Sequence, residues 1–455
     1  MACTLEGTPR TVPRHIALPG APKRLIYSDF LKRLVVGYYA TDTETGIQNP
    51  EHAIRFRLAF IDPDGDAVTS SAVDIPAGLD NSTGSLELSQ RTTGPSSEEI
   101  TSLVDWQYTS GDRMYHMIVI GTARLCGGRH SGRLIYAVTR PSKKLPGNID
   151  TTVKYVYAYD FPVRAISTYK PASLAVAAHD QVILQCLNVT TKRWRKLPPF
   201  KVESPVVSFT VKEPYIYALT EKHSLVILKV SEDRLSLYGH DGSDRMGLSQ
   251  VNLFDDSQIT LVSSIGGCIT GLTDSGLTRE GKLLRSLFAA HLPLTVSRLS
   301  RSFVPTSPGV SPIVYGVTLD GAVYRFRILS EIELRLLGFI QRLCLMDPDI
   351  TPFTRRHRNA TPGAHLGSLS KPESRHINGD VLGRVVDRGA SYLERLIQMT
   401  EDSKPAPRPS SYTHVVSRDT SEQTFRDYSR SIVGDVPNPC VAVMQWIEEL
   451  IRPGL

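Results

Sequence analysis

Cysteine is scarce and scattered in this chain. Its six residues, Cys3, Cys126, Cys186, Cys268, Cys344 and Cys440, nowhere form a C-x-x-C pair. Neither a disulfide framework nor a zinc cluster is indicated, and the thiols read as reduced and intracellular. Long apolar runs are missing as well. No stretch reaches the ~18 uncharged apolar residues that a membrane span needs. The opening "MACTLEGTPRTVPRH" lacks the apolar centre of a secretory signal. A soluble, non-secreted protein is expected, so the Asn-x-Ser/Thr matches at Asn81, Asn188 and Asn359 carry no meaning. GxSxG, HExxH and GxGxxG do not occur, which removes the sequence signatures of a serine hydrolase, a zinc protease and a dinucleotide binder. Charge of one sign is not in large excess: a net +6 over 455 residues permits anionic partners without demanding them.

Three stretches imitate chemical motifs. "GLTREGKL" (276–283) has phosphate-loop spacing, but Leu283 stands where a hydroxyl must hold magnesium and a strand follows instead of a helix. "DPDGD" (62–66) resembles a calcium loop, yet Ala67 replaces the required glycine and Val73 the bidentate glutamate. "GHDGSD" (239–244) brings His240, Asp241 and Asp244 together without a second ligand cluster. All three read as turns between strands. No catalytic, cofactor-binding or metal-binding residue is assigned, no small-molecule substrate is implied, and a non-enzymatic protein is expected. An enzyme whose residues converge only in space, at a propeller channel, is the competing class.

What is present is a recurrence of short β-branched and aromatic segments in groups of four. "RLIYSD", "RLVVGYYA", "IRFRLAFID" and "AVTSSAVDI" make the first group; "PVRAISTY", "SLAVAAHD", "QVILQCLN" and "RWRKLPPF" are typical of a later one. Roughly 40 to 60 residues per group is the spacing of propeller blades. The last group shows three strands, ending in "PIVYGVTLDGAVYRFRI", a hairpin about the Asp320-Gly321 turn. The expected fold is mainly β: a single propeller of about six to seven four-stranded blades over residues 10–329. The segment 10–20 supplies the missing strand, and a polar loop covers 78–100.

At Ser330 the period changes from two to 3.6. Ser330 and Glu333 have capping-box spacing, and Ile332, Leu336, Leu337, Ile340, Leu343 and Cys344 share a helical face. A small α-helical C-terminal domain is expected over 330–455. It comprises a helix at 330–346, a basic loop at 347–378, a helix at about 380–400, a Pro-rich linker at 401–420 and a last helix in "PCVAVMQWIEELI".

Two basic clusters are candidate contacts for an anionic partner. In "KRWRK" (192–196), Lys192, Trp194 and Lys196 share one strand face, and Arg193 and Arg195 the other. In "RRHR" the candidates are Arg355, Arg356 and Arg358, near Lys371, Arg375 and His376. The competing readings are a charged edge strand that resists aggregation and a solvated loop.

Four stretches carry a resemblance: "IALPGAPKRLIYSDFLKRLVVGY", "LVDWQYTSGDRMYHMIVIGTARLCGGRHSGRLIY", "VYGVTLDGAVYRFRILSEIELRLLGFIQRLC" and "HINGDVLGRVVDRG". In order and spacing they resemble the C-terminal part of the triple β-propeller family of damaged-DNA-binding protein 1, the cleavage and polyadenylation specificity factor A subunit and a spliceosomal scaffold subunit. Asn378, Gly379 and Asp380, after Ile377, match the family phrase that opens a helix of its C-terminal domain. The resemblance implies a scaffold or adaptor in a nuclear multiprotein complex, with the cytoplasm as a second location. Its partners would be proteins, and nucleic acid would be bound directly or indirectly. The branch preferred is the ubiquitin ligase adaptor of DNA repair; RNA-processing scaffolds and a non-functional truncated paralogue are the alternatives.

Overall fold

The computed structural model describes residues 16–18, 20–40, 55–64, 68–73, 97–126, 129–143, 147–191, 193–232, 234–253, 258–275, 283–302, 313–347, 375–402 and 421–451. Within them the chain is mainly β, a six-bladed propeller followed by helices. Each blade is an antiparallel sheet of consecutive strands. The first five have four strands, the third adding the short pair Phe200–Lys201, and the sixth has three.

The innermost strands are β1 (Ala21–Ser28), β5 (Ser97–Ser110), β9 (Val163–Lys170), β14 (Val206–Lys212), β18 (Gly247–Leu253) and β22 (Val296–Arg301). Each pairs with the next strand of its own sheet and packs against the inner strand of the next blade, from β1 through to β22. Period-two alternation then gives the second to fifth sheets an apolar cluster on each face. In the third blade Leu174 and Val176 pack toward the second blade, while Ala175 and Ala177 pack toward the fourth. Among the described residues five hydrophobic clusters lie one between each successive pair of blades, and a sixth, Val36, Tyr38, Ala59 and Ile61, lies on the far face of the first blade.

One device recurs in all six inner strands. The register slips by one residue near the strand start, at Lys23, Thr101, Arg164, Val207, Leu248 and Ser297. A bulge of this kind twists the strand and turns backbone groups out of the ladder. Near these bulges hydrogen bonds cross between blades: Ser102 Oγ accepts the N–H of Ile166 at 3.2 Å, and Ser249 Oγ that of Leu299 at 3.0 Å. In both cases the serine directly follows a bulge and the amide lies two residues after the next one.

Among the described residues five helices follow the sixth blade: α1 (Glu331–Met346), α2 (Gly379–Arg388), α3 (Ala390–Asp402), α4 (Ser421–Val433) and α5 (Pro439–Ile451). The expected capping box forms, with Ser330 Oγ accepting the Glu333 N–H and the Glu333 carboxylate accepting the Ser330 N–H. Leu336, Ile340, Val385, Leu393, Phe425, Val443 and Ile447 form a common core, against which Leu329 packs at the end of the last strand. Arg325 on β24 (Val323–Arg327) donates to the Ile451 carbonyl at 3.1 Å, so α5 returns to the blade from which α1 departs.

Several expectations change in detail. The pattern at 380–400 is two helices, because Gly389 takes φ 81° and breaks the run between them. Helix α4 is absent from the sequence reading. The hairpin at Asp320-Gly321 is wider than a two-residue primed turn: Gly321 has φ 88°, and the chain closes through Thr318 N–H to the Ala322 carbonyl at 3.0 Å. Of the segment 10–20, Ile16 and Leu18 pack on the first blade and the rest, apart from residues 17 and 20, lies outside the described residues. Residues 78–96, 348–374 and 403–420 also lie outside them. Among the described residues no helix is long and apolar enough to cross a membrane.

Candidate interaction surface

Strand direction alternates within a blade, so each inner strand starts on the face where the second strand turns into the third. The first residue of that turn donates its N–H to the residue ahead of the inner strand: His179 to Pro162 at 3.1 Å, Glu221 to Pro205 at 2.8 Å and Ile265 to Met246 at 3.1 Å. Further bonds step to the next blade, Val206 N–H to the His179 carbonyl at 2.9 Å and Met246 N–H to that of Lys222 at 3.2 Å. The turns of the third to fifth blades are thereby fixed side by side, and the wider turn at Leu319 occupies the same place in the sixth.

The side chains on this rim divide into two sectors. Between the third and fourth blades a cavity of about 440 Å³ is lined by Arg164, His179, Asp180, Glu203, Glu221 and Lys222. Its acids are paired: Arg164 with Glu221 at 2.5 Å, Lys201 with Asp180 at 3.4 Å, and His223 with both Glu203 at 3.7 Å and Asp244 at 2.7 Å. Along the fifth and sixth blades the equivalent positions are apolar. Ile265 is 51% exposed and Leu319 92%, with Met246 and Leu294 exposed beside them. Thr295 Oγ1 donates to the Ile265 carbonyl at 3.1 Å, which brings the 292–295 connection against the Ile265 turn. Aliphatic side chains on bonded turns offer contact area at little further entropic cost, and charged neighbours set orientation.

Between the first two blades Ser28, Asp105 and His116 converge, the three residue types of a hydrolytic triad. Their order does not fit a relay, which needs the hydroxyl and the carboxylate on opposite ring nitrogens. Here Ser28 Oγ, at 3.5 Å, and Asp105 Oδ1 both face Nε2, while Nδ1 faces Thr139 Oγ1 at 3.3 Å. Ser28 donates to Asp105 at 3.0 Å, and Phe30 stacks on the imidazole with centroids 4.3 Å apart. Burial by itself would raise the Asp105 pKa; hydrogen bonds and charge from His116, with smaller contributions from Gln107 and Ser28, hold it below the ordinary value. The cluster joins two blades through a buried network. No local sequence signal announces it, since Ser28 lies 77 residues from Asp105.

The sequence-derived candidates fall in different places. Trp194 lies in an aromatic cluster between the second and third blades, 5.6 Å from Trp106 and 5.2 Å from Tyr136 by ring centroid. Lys196 sits over the rings of Tyr157 and Tyr159 at 5.2 and 5.3 Å, and burial lowers its pKa. That face of the strand therefore meets the second blade; Trp194 is half-buried there, while Arg193, Arg195 and Lys196 are exposed. Lys192, Lys371, Arg355, Arg356 and Arg358 lie outside the described residues. Arg375 pairs with Glu331 at 2.7 Å. Asn378 caps α2, its side chain accepting the N–H groups of Asp380 and Val381, with Gly379 and Asp380 in the first turn. The trio at 240–244 separates: Arg245 takes the Asp241 carboxylate at 2.6 Å, and His223 that of Asp244. Among the described residues no three His, Cys, Asp or Glu side chains gather as a metal site.

Neither protein-family models nor curated protein sequences match this chain.

Proposed function

We propose that this protein is a non-enzymatic scaffold of a nuclear multiprotein complex, with residues 330–455 acting as a helical unit beside the propeller. A propeller is commonly a platform for protein partners, and the observation that carries the reading is the rim. Ile265, Leu319, Met246 and Leu294 are exposed on turns held by backbone hydrogen bonds, next to a charge-balanced sector. Exposed aliphatics in one sector mark a contact surface for protein. The resemblance to the triple β-propeller family supports the same reading and favours a ubiquitin ligase adaptor in DNA repair over scaffolds of polyadenylation or splicing. Nucleic acid would then be bound by the protein or through its partners.

The test is purification of the tagged full chain from native cells beside an Ile265→Asp/Leu319→Asp variant, with identification of what co-purifies. Recovery of a cullin supports the ligase branch, and recovery of polyadenylation or splicing subunits the RNA branches. A partner set unchanged by the double variant would remove the rim from the proposal, and no specific partner at all would remove the scaffold.

A further inference from the structure

The outermost strands of the first and the third to sixth blades run four to seven residues. That of the second, β8 (Ile149–Tyr159), runs 11. It closes its sheet, and among the described residues its backbone bonds to β7 (Arg129–Pro141) alone. An antiparallel edge turns alternate N–H and C=O groups outward, so the outer side of β8 is a row of free donors and acceptors. Thr152, Lys154, Tyr155 and Ala158 along it are exposed.

Long edges are shielded in most proteins by charge, proline or a bulge. Here the one bulge falls at Lys154, between the pairs Ala137–Val153 and Tyr136–Tyr155. Beyond it the stretch Tyr155–Tyr159, "YVYAY", pairs without interruption and holds no charge, proline or glycine. Aromatic and β-branched residues of this kind favour strand pairing. Alternation turns Tyr155, Tyr157 and Tyr159 toward the third blade, where Tyr157 lies 6.2 Å from Trp194 by ring centroid.

The seam beside this edge is positive. Strand β12 (Arg193–Lys196) lays Lys196 over the rings of Tyr157 and Tyr159 and leaves Arg193 and Arg195 exposed. Among the described residues none of Lys154, Arg193, Arg195 and Lys196 is in an ion pair. The sole carboxylate on either strand, Asp150, lies at the other end of β8. Burial lowers the Lys196 pKa, as expected of an ammonium with no carboxylate beside it.

We propose that the outer edge of β8 receives an extended acidic segment of a partner protein as a fifth strand of the second blade. Its backbone bonds along Tyr155–Tyr159, which supplies affinity, and its carboxylates meet Lys154 and Lys196, which selects the partner. Single-stranded nucleic acid fits less well, because bases need open rings to stack on. Lys196 already lies over Tyr157 and Tyr159, and Tyr155 is the only exposed tyrosine of the three. The rim turns take no part in this contact.

The probe is a fluorescein-labelled peptide of alternating valine and glutamate, added to the full chain, with anisotropy as readout. A strand that docks by one edge uses only alternate amides. Two N-methylated versions, one for each alternating set of amides, should therefore differ: one binds about tenfold more weakly or worse, and the other nearly as well as the parent. Lys196→Glu should weaken binding about threefold or more at low salt. Lys154→Glu, on the exposed bulge, repeats that measurement without touching the contact of Lys196 with its two rings. No saturable binding, equal effects of the two methylated peptides, unchanged binding in both variants, or equal binding of a valine–lysine peptide overturns the proposal. Displacement of the peptide by single-stranded DNA at lower concentration overturns it by naming nucleic acid as the occupant. A dimer of the chain in sedimentation that the peptide disperses overturns it by naming a second copy.

Discussion

The hydroxyl of Ser249 on β18 accepts the backbone N–H of Leu299 on β22 at 3.0 Å, and through it the fifth blade holds the sixth. Both residues are buried. Ser249→Ala leaves the amide unpaired and out of reach of water, a cost of about 1–3 kcal/mol. A lowered urea midpoint at unchanged slope is expected, and Ser102→Ala, which breaks the equivalent bond to Ile166, repeats it. An unchanged midpoint in both variants would show that the bulge-and-serine device does not hold blades together.

Trp106 is fully buried and donates through Nε1 to the Pro171 carbonyl at 2.9 Å, linking the second blade to the third. Trp106→Ala removes the ring from a cluster with Tyr108, Tyr136 and Trp194, at a cost of about 3–5 kcal/mol. Trp106→Phe keeps most of the ring and loses the hydrogen bond, so its melting temperature should fall between those of wild type and Trp106→Ala. Equal melting temperatures for the two variants would assign the whole effect to the hydrogen bond.

Asp105 gives a pH dependence whose sign follows from its lowered pKa. A carboxyl with a lower pKa in the folded than in the unfolded state adds stability above the unfolded value of about 3.9. That contribution is lost as pH falls through the folded value. Below pH ~4, wild type should therefore lose stability more steeply than Asp105→Asn, although the variant is the less stable of the two at neutral pH. Parallel acid-unfolding curves for the two proteins would contradict the assignment.

Asn378 closes α2 by accepting the amides of Asp380 and Val381. Asn378→Ala should cost about 1 kcal/mol, seen as earlier loss of helical circular dichroism on heating. Asn378→Asp, which keeps the acceptor, should restore most of it.

The blade architecture was legible because its signal is local. "SLAVAAHD" and "QVILQCLN" alternate and are punctuated by turn residues, and they became a hairpin through Ala178 and Gln181. Six such groups set the period, and a capping box written in Ser330 and Glu333 set where it ends. Helix α4 was not legible: in "SEQTFRDYSRSIV" only Phe425, Tyr428, Ile432 and Val433 are apolar enough to pack, and polar residues fill the rest. Its formation depends on the core offered by the other four helices. The "KRWRK" strand shows the same limit. Alternation correctly separates Trp194 and Lys196 from Arg193 and Arg195, but which side meets a neighbouring blade is decided by Trp106, Tyr136 and Tyr157, far away in the chain.

By itself the sequence determined the repeat, the strand alternation and the change of period at Ser330, since hydrophobic spacing and turn chemistry act over a few residues. The tertiary structure decided which turns share a rim and that Ser28, Asp105 and His116 share one buried site. Those relationships join residues tens to hundreds of positions apart, and they exist only once the bulged inner strands have set each blade against the next.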